Sequence, residues 1–207
     1  MIAGLVLAAG ASRRFADGRG AQKLVAPAAG KPVVRWTVER VLASRVDHVV
    51  VVTGYERDAV KGALSNLRVR LVHNPNYARG LGASLEAGIA ALPAAVTGAI
   101  IVLGDQPTVS TAVIDKLVDA WHERRMPIVA PLYCGVRGNP VLFAASVFHE
   151  LRAVGGDRGA RDIIARSPER VTLLDVDADM PLDVDDRASL DAVSRALAAE
   201  PAATGRT

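Results

Sequence analysis

The sequence predicts an α/β fold: a single three-layer domain built on a mostly parallel sheet. Short β-branched runs alternate with longer segments of helical period along the chain. Several of these runs, Val49–Val52 and Ile100–Leu103 among them, are apolar without alternation, as strands are when helices cover both faces of a sheet. Each of the first four strands is followed by a loop and a helix, the rhythm of βαβ crossovers.

In order, the run Ile2–Ala8 reads as the first strand, and helical period follows over Val33–Ala43. The β-branched run His48–Thr53 leads to a helix over Arg57–Leu64, Arg70–His73 to one over Leu81–Leu92, and Ala99–Leu103 to one over Thr111–Arg124. Farther on, Ile128–Pro131, Val141–Phe143 and Val171–Asp175 read as strands, and Ala145–Ala153, Gly159–Arg166 and Arg187–Ala199 as helices. Residues 1–199 form the expected domain, and the Ala/Pro/Gly tail 200–207 is expected to fray.

A chain of 207 residues, half of them apolar and 23% charged, has the length and composition to bury a core, and is neither disordered, collagenous nor a coiled coil. Apolar runs such as Leu5–Ala9 stay far below the roughly 18 residues of a membrane span. No basic segment precedes the first apolar run, so no signal peptide is expected. The one cysteine, Cys134, fits a reducing compartment, and the expected location is the cytoplasm. Most of the 25 cationic residues are arginine, but they are scattered among acids, with no basic run and no aromatic stacking motif. Neither nucleic acid nor membrane is an expected partner. His48, His73, His122 and His149 lack zinc-ligand spacing with Cys134, and there is no Gly-x-Ser-x-Gly elbow.

In open α/β sheets, ligands sit beyond the carboxyl ends of the strands. The first strand ends in Leu7-Ala8-Ala9-Gly10-Ala11-Ser12-Arg13-Arg14-Phe15, followed after a loop by Gln22-Lys23. Small residues at Ala8, Ala9 and Gly10 allow a base or phosphate close to the backbone, and Arg14 and Lys23 add charge that suits a triphosphate. An ordinary turn with solvated arginines would read the same way. The fourth strand ends in Gly104-Asp105-Gln106-Pro107, where a carboxylate can hold Mg²⁺ against phosphate or simply cap a turn. The acid-rich stretch Asp175–Asp186 follows the last strand and can offer one or two further ligands, the rest being a solvated loop that caps the Arg187 helix. Two segments, Gly135–Phe143 and Gly155–Arg161, have the composition of binding loops.

Together these segments resemble the nucleotidyltransferases that attach a nucleoside monophosphate to molybdopterin, over roughly Ile2 to Leu190. The closest branch by motif is the molybdenum cofactor cytidylyltransferases. The resemblance rests on Leu-Ala-Ala-Gly-x-Ser-x-Arg at Leu7–Arg14 with Lys23, on Gly104–Pro107, on Gly80–Leu85, and on the Arg-Gly-Asn-Pro-Val-Leu-Phe and Gly-Asp-Arg-Gly-Ala-Arg segments. Ala9, where guanylyl enzymes usually carry glycine, favours cytidine.

The resemblance implies a Rossmann-like sheet of the nucleotidyltransferase type and Mg²⁺-assisted transfer of CMP from CTP to molybdopterin. It implies that Arg14, Lys23 and Asp105 are catalytic, with Asp105 and Asp179 holding the metal. It implies that Leu7, Ala8, Ala9, Gly10, Lys23, Gly80, Ser84 and Asp105 take the nucleotide, while Asn139 and Arg158 face the pterin. A molybdenum hydroxylase would receive the product. The chain departs from the family pattern in Ala16, in the longer approach through Asp17–Ala21 to Lys23, and in Asp179-Met180-Pro181-Leu182-Asp183, which lacks a hydroxyl and one acid. Three alternatives use the same scaffold: an NAD(P)H-dependent oxidoreductase reducing a quinone-like pigment, resembling nicotine blue oxidoreductase; a nucleotidyltransferase for another phosphorylated acceptor; and a cofactor-insertion chaperone.

Overall fold

The computed structural model describes residues 1–12, 15, 22–124, 126–156 and 159–200. Its strands are β1 (Ile2–Ala8), β2 (Pro27–Ala28), β3 (Lys31–Pro32), β4 (His48–Thr53), β5 (Arg70–His73), β6 (Gly98–Leu103), β7 (Ile128–Tyr133), β8 (Val136–Arg137), β9 (Val141–Ala144) and β10 (Val171–Val176). The α-helices are α1 (Val33–Leu42), α2 (Arg57–Ala63), α3 (Leu81–Ala90), α4 (Thr111–Arg124), α5 (Phe148–Ala153), α6 (Arg161–Arg166) and α7 (Arg187–Ala199).

The sheet runs β10-β7-β9-β6-β1-β4-β5, with β8 paired to β7. β1 lies inside the sheet, parallel to both β4 and β6, and β4/β5 and β7/β10 are parallel as well. β9 runs antiparallel between β6 and β7. This is the expected mostly parallel α/β sheet. The short β2–β3 hairpin and β8 were not among the expected strands.

Strand parity sorts the apolar residues into two cores. Ile2, Val6 and Ala8 of β1 and Val49 and Val51 of β4 pack with α1, α2 and α4 on one face. Leu5 and Leu7, with Val50 and Val52, pack with α3, α5 and α6 on the other. The chain thus forms three layers, and the unbroken apolar runs follow because both faces of the sheet are covered. Gly4 lets α1 approach: a Cβ there would lie 2.4 Å from Val41 Cγ1. A third cluster joins α7, through Leu190, Val193 and Leu197, to Phe15, Ala28 and Val184. Among the described residues, no helix is long and apolar enough to cross a membrane.

Candidate active site

From β1 the chain first builds outward through β4 and β5, then returns to place β6 on the other side. The crevice beyond the carboxyl ends of β1 and β6 is therefore the switch point of the sheet, where α/β folds bind ligands. Leu7 at the end of β1, Leu103 at the end of β6 and Leu81 of α3 line two adjoining cavities there.

The first cavity, of about 440 Å³, is lined by Leu7, Ala9, Gly10, Lys23, Gly80, Ser84 and Asp105 together with Ser12, Tyr77 and Asp185. Gln22 holds its rim in place. This glutamine is almost fully buried, and its Nε2 donates to the carbonyls of Gly10 at 3.3 Å and Tyr55 at 3.2 Å. Its Oε1 accepts from the Ser12 hydroxyl, and Ser12 Oγ in turn accepts from the Lys23 backbone N–H at 3.2 Å. The turn after β1 and the 3-10 turn carrying Lys23 are thereby tied together. On the opposite rim Gly80 has φ +97°, a left-handed conformation that suits glycine, and it leads into the first turn of α3 where Ser84 stands.

Lys23 Nζ lies 2.5 Å from Asp105 Oδ2 and 3.3 Å from Asp185 Oδ1, with its side chain only 13% exposed. Asp105 follows a tight crossing at Gly104, whose N–H donates to the Leu7 carbonyl at 2.9 Å and whose carbonyl accepts from the Thr37 hydroxyl at 3.1 Å. A Cβ at Gly104 would fall 2.9 Å from that Leu7 oxygen, so glycine is required for the approach. The acid-rich segment is laced to this loop. Val184 N–H donates to the Asp105 carbonyl at 2.9 Å, Leu182 N–H to Thr108 Oγ1 at 2.8 Å, and Gln106 Nε2 to Asp183 Oδ1 at 2.9 Å. Partial burial, and after it the neighbouring Asp105 carboxylate, raise the Asp183 carboxyl above its ordinary range despite the Gln106 hydrogen bond.

The second cavity, of about 450 Å³, has an apolar floor of Leu85, Ile101, Val141, Phe143 and Ile164 and a polar rim of Gln106, Arg137, Asn139, Arg161 and Asp183. The turn bearing Asn139 is held by Tyr133, whose Oη donates to the Asn139 carbonyl at 2.6 Å. Burial pushes that phenol up to about 12, so it remains a donor at neutral pH.

Of the residues singled out in the sequence, Leu7, Ala9, Gly10, Lys23, Gly80, Ser84 and Asp105 meet at the first cavity and Asn139 lines the second. Ala8 lines neither, because strand alternation turns its side chain into the opposite core. Asp179 also lines neither and is exposed. The hydrogen bonds at Leu182 and Val184 set the register of the segment so that Asp183 and Asp185, rather than Asp179, approach Asp105 and Lys23. Arg14, Arg158, most of the loop before Lys23 and the tail beyond Glu200 lie outside the described residues. Gln22, Tyr77, Asn74, Arg137 and Arg161 were not singled out individually. Gln22 stood directly before the lysine, and Arg137 and Arg161 lie within the two segments of binding-loop composition, so these three carried a local signal.

A divalent cation fits the donors present. Asp105 and Asp185 offer hard carboxylate oxygens and already share one cation, the Lys23 ammonium. Mg²⁺ commonly takes one or two carboxylates plus substrate phosphate oxygens. Among the described residues no group of three or more His, Cys, Asp or Glu could hold a metal by itself, so further ligands would come from substrate and water.

A glycine-flanked turn at the switch point, with a lysine and carboxylates at its mouth, defines a nucleotide-binding α/β protein of the phosphoryl-transfer kind. Its family follows from residues 4–171, which match the MobA-like NTP transferase domain, and the chain belongs to that family of nucleotidyltransferases. It is 31% identical to a nicotine blue oxidoreductase of Paenarthrobacter nicotinovorans, across 84% of this chain and 86% of that protein. It is 29% identical to the molybdenum cofactor cytidylyltransferase of Escherichia coli K12, across 67% of each. Among solved structures, Rv0371c from Mycobacterium tuberculosis H37Rv superposes with a TM-score of 0.83 at 28% identity, covering 94% of this chain and 97% of that one. The manganese complex of Rv0371c superposes with a TM-score of 0.80 at 27% identity, covering 94% and 98%.

Proposed function

We propose that this protein transfers CMP from CTP to the terminal phosphate of molybdopterin, assisted by Mg²⁺. The observation that carries the reading is the adjacency of the two cavities, with Lys23, Asp105, Asp183 and Asp185 grouped where they meet. In the proposed step a phosphate oxygen of molybdopterin attacks the α-phosphorus of CTP. The bond to the bridging oxygen of the β-phosphate breaks, and pyrophosphate leaves with the electron pair. Positioning and charge neutralisation dominate such transfers.

Backbone at Leu7–Gly10 and the Gly80–Ser84 turn would take the nucleoside. Lys23, and with it Arg14, would neutralise triphosphate charge, and Asn139 and Arg158 would face the pterin. Asp105 and Asp185 would hold the cation, which when bound supplies Lewis-acid stabilisation of charge on the phosphates. When substrate enters, Lys23 has to exchange part of its contact with Asp105 for phosphate. The product's proposed recipient is a molybdenum hydroxylase, and the cytoplasm is the proposed setting.

Incubation with CTP, Mg²⁺ and molybdopterin is expected to release pyrophosphate. Asp105→Asn is expected to lower kcat/KM by about 10²–10³ or more. Its unfolding temperature should stay within a few degrees of the parent, because Lys23 keeps Asp185 as a partner. Unaltered turnover in that variant would remove Asp105 from the mechanism.

A second reading is an NAD(P)H-dependent reduction of a quinone-like pigment. It is favoured by the similarity to nicotine blue oxidoreductase over most of both chains and by the apolar floor of the second cavity, which suits a planar acceptor. Oxidation of NADH or NADPH by such a pigment without Mg²⁺, and no pyrophosphate from CTP, would establish it instead.

A further inference from the structure

Asn74, directly after β5, is 2% exposed and is the only described side chain that hydrogen-bonds Ser84 of the first cavity. The orientation of its amide is fixed from one side. Asn74 Oδ1 accepts the Asn76 backbone N–H at 2.9 Å, an Asx turn that only the carbonyl end can make. Nδ2 must then face Ser84 Oγ, which it does at 3.1 Å. Ser84 is 4% exposed, lines the first cavity and stands in the first turn of α3. A serine hydroxyl has one proton to give and lone pairs to receive with. Because Ser84 Oγ receives from Asn74, its proton is directed elsewhere, and among the described residues no protein acceptor takes it.

We propose that Asn74 is a positioning residue for base selection: it fixes the Ser84 hydroxyl as a donor toward the nucleotide, so the site takes a base presenting a lone pair there and rejects one presenting N–H. Cytosine and uracil differ in this respect at N3, which is a lone-pair acceptor in cytosine and an N–H donor in uracil. With N3 facing Ser84, the ligand class is a cytidine rather than a uridine nucleotide. This deepens the nucleotide reading above and rests on it. The physical basis is the penalty for two donors facing one another at a hydroxyl that is only 4% exposed, which discriminates more strongly than a missing contact does.

The test is the ratio of CTP to UTP affinity, measured by calorimetry with Mg²⁺ for the parent, Asn74→Asp, Asn74→Ala, Ser84→Ala and the double variant Asn74→Asp/Ser84→Ala. In Asn74→Asp one carboxylate oxygen still accepts the Asn76 N–H while the other accepts the Ser84 proton, so lone pairs now face the base. The parent is expected to prefer CTP, Asn74→Asp to reduce that preference at least about tenfold, and Asn74→Ala to reduce it by less, since the hydroxyl is then free to rotate. On the Ser84→Ala background, the Asn74→Asp change is expected to leave the ratio within about twofold, as a coupling carried through that hydroxyl requires.

Equal weakening of both nucleotides by Asn74→Asp, or an unchanged shift in ratio without the Ser84 hydroxyl, would reduce Asn74 to a structural support and overturn the proposal. Should Asn74→Asp fail to fold, Asn74→Ala on the two backgrounds makes the same comparison. A parent that binds UTP as tightly as CTP, or that binds only purine nucleotides, overturns the proposal and leaves the nucleotide reading standing. A parent that binds no nucleoside triphosphate overturns both.

Discussion

A carboxylate held close to two others raises the cost of the folded state whenever all three are ionised, and Asp183 is in that position beside Asp105 and Asp185. Its carboxyl is raised by partial burial first and by Asp105 second. Between the unfolded value near 3.8 and the raised folded value, the native state binds more protons than the unfolded one. Stability must therefore fall as pH rises through that window, and the loss persists above it. Asp183→Asn removes the charge while its Oδ1 can still accept from Gln106. In metal-free buffer the variant is expected to melt higher than the parent at pH 7.5, with the gain shrinking toward zero as pH falls to about 3.8. Thermal unfolding across that range checks it, and a variant less stable at pH 7.5 would mean that Gln106 and Lys23 together outweigh burial and the two carboxylates. At this scale the sequence was partly legible. Asp105 stood out as a carboxylate just after a glycine at a strand end, and Lys23 as the cation that closes the loop after β1. Asp183 and Asp185 did not stand out within an acid-rich run, since only the tertiary hydrogen bonds from Val184 and Leu182 select which acids turn inward.

Helix α3 forms one wall of both cavities, and its position depends on a contact no local pattern shows. A Cβ at Gly82 would lie 2.3 Å from the Val154 carbonyl oxygen and 3.1 Å from the Gly155 carbonyl carbon, both backbone atoms that cannot rotate away. The Gly82 N–H also donates to the Gly156 carbonyl at 2.9 Å, holding the first turn of α3 against the segment after α5. Gly82→Ala is expected to cost about 1–3 kcal/mol by overpacking, lowering the melting temperature by about 2–12 °C. It should also weaken nucleotide binding, because Ser84 lies in the same turn. Gly62→Ala is the control: a Cβ there meets nothing within 4 Å, so this change within α2 is expected to raise stability by about 0.5–1 kcal/mol. Either result reversed in a thermal melt would contradict the packing argument. The longer elements were legible for the reason these contacts were not: periodicity spans whole strands and helices, whereas β2, β3 and β8 are two residues each and have no period to read. The antiparallel direction of β9 was hidden too, because a strand buried on both faces has the same apolar run in either direction.

For the molecule as a whole, the sheet order decides what kind of kinetics the site can support. Placing β4 and β5 on one side of β1 and β6 on the other opens the crevice, and the insertion of antiparallel β9 between β6 and β7 widens the floor of the second cavity through Val141 and Phe143. The two cavities have separate linings apart from Leu7, Leu81 and Leu103. In the proposed reaction both substrates would therefore be held at once, with the charged cluster between them and no need for the protein to carry the nucleotidyl group. Direct transfer through a ternary complex is the expected consequence. Initial rates measured against CTP at several fixed molybdopterin concentrations should give intersecting double-reciprocal lines, and omission of the acceptor should leave no CMP attached to the protein. Parallel lines with a nucleotidylated protein would instead require a nucleophile within the site, a role for which its carboxylates would be the groups to examine.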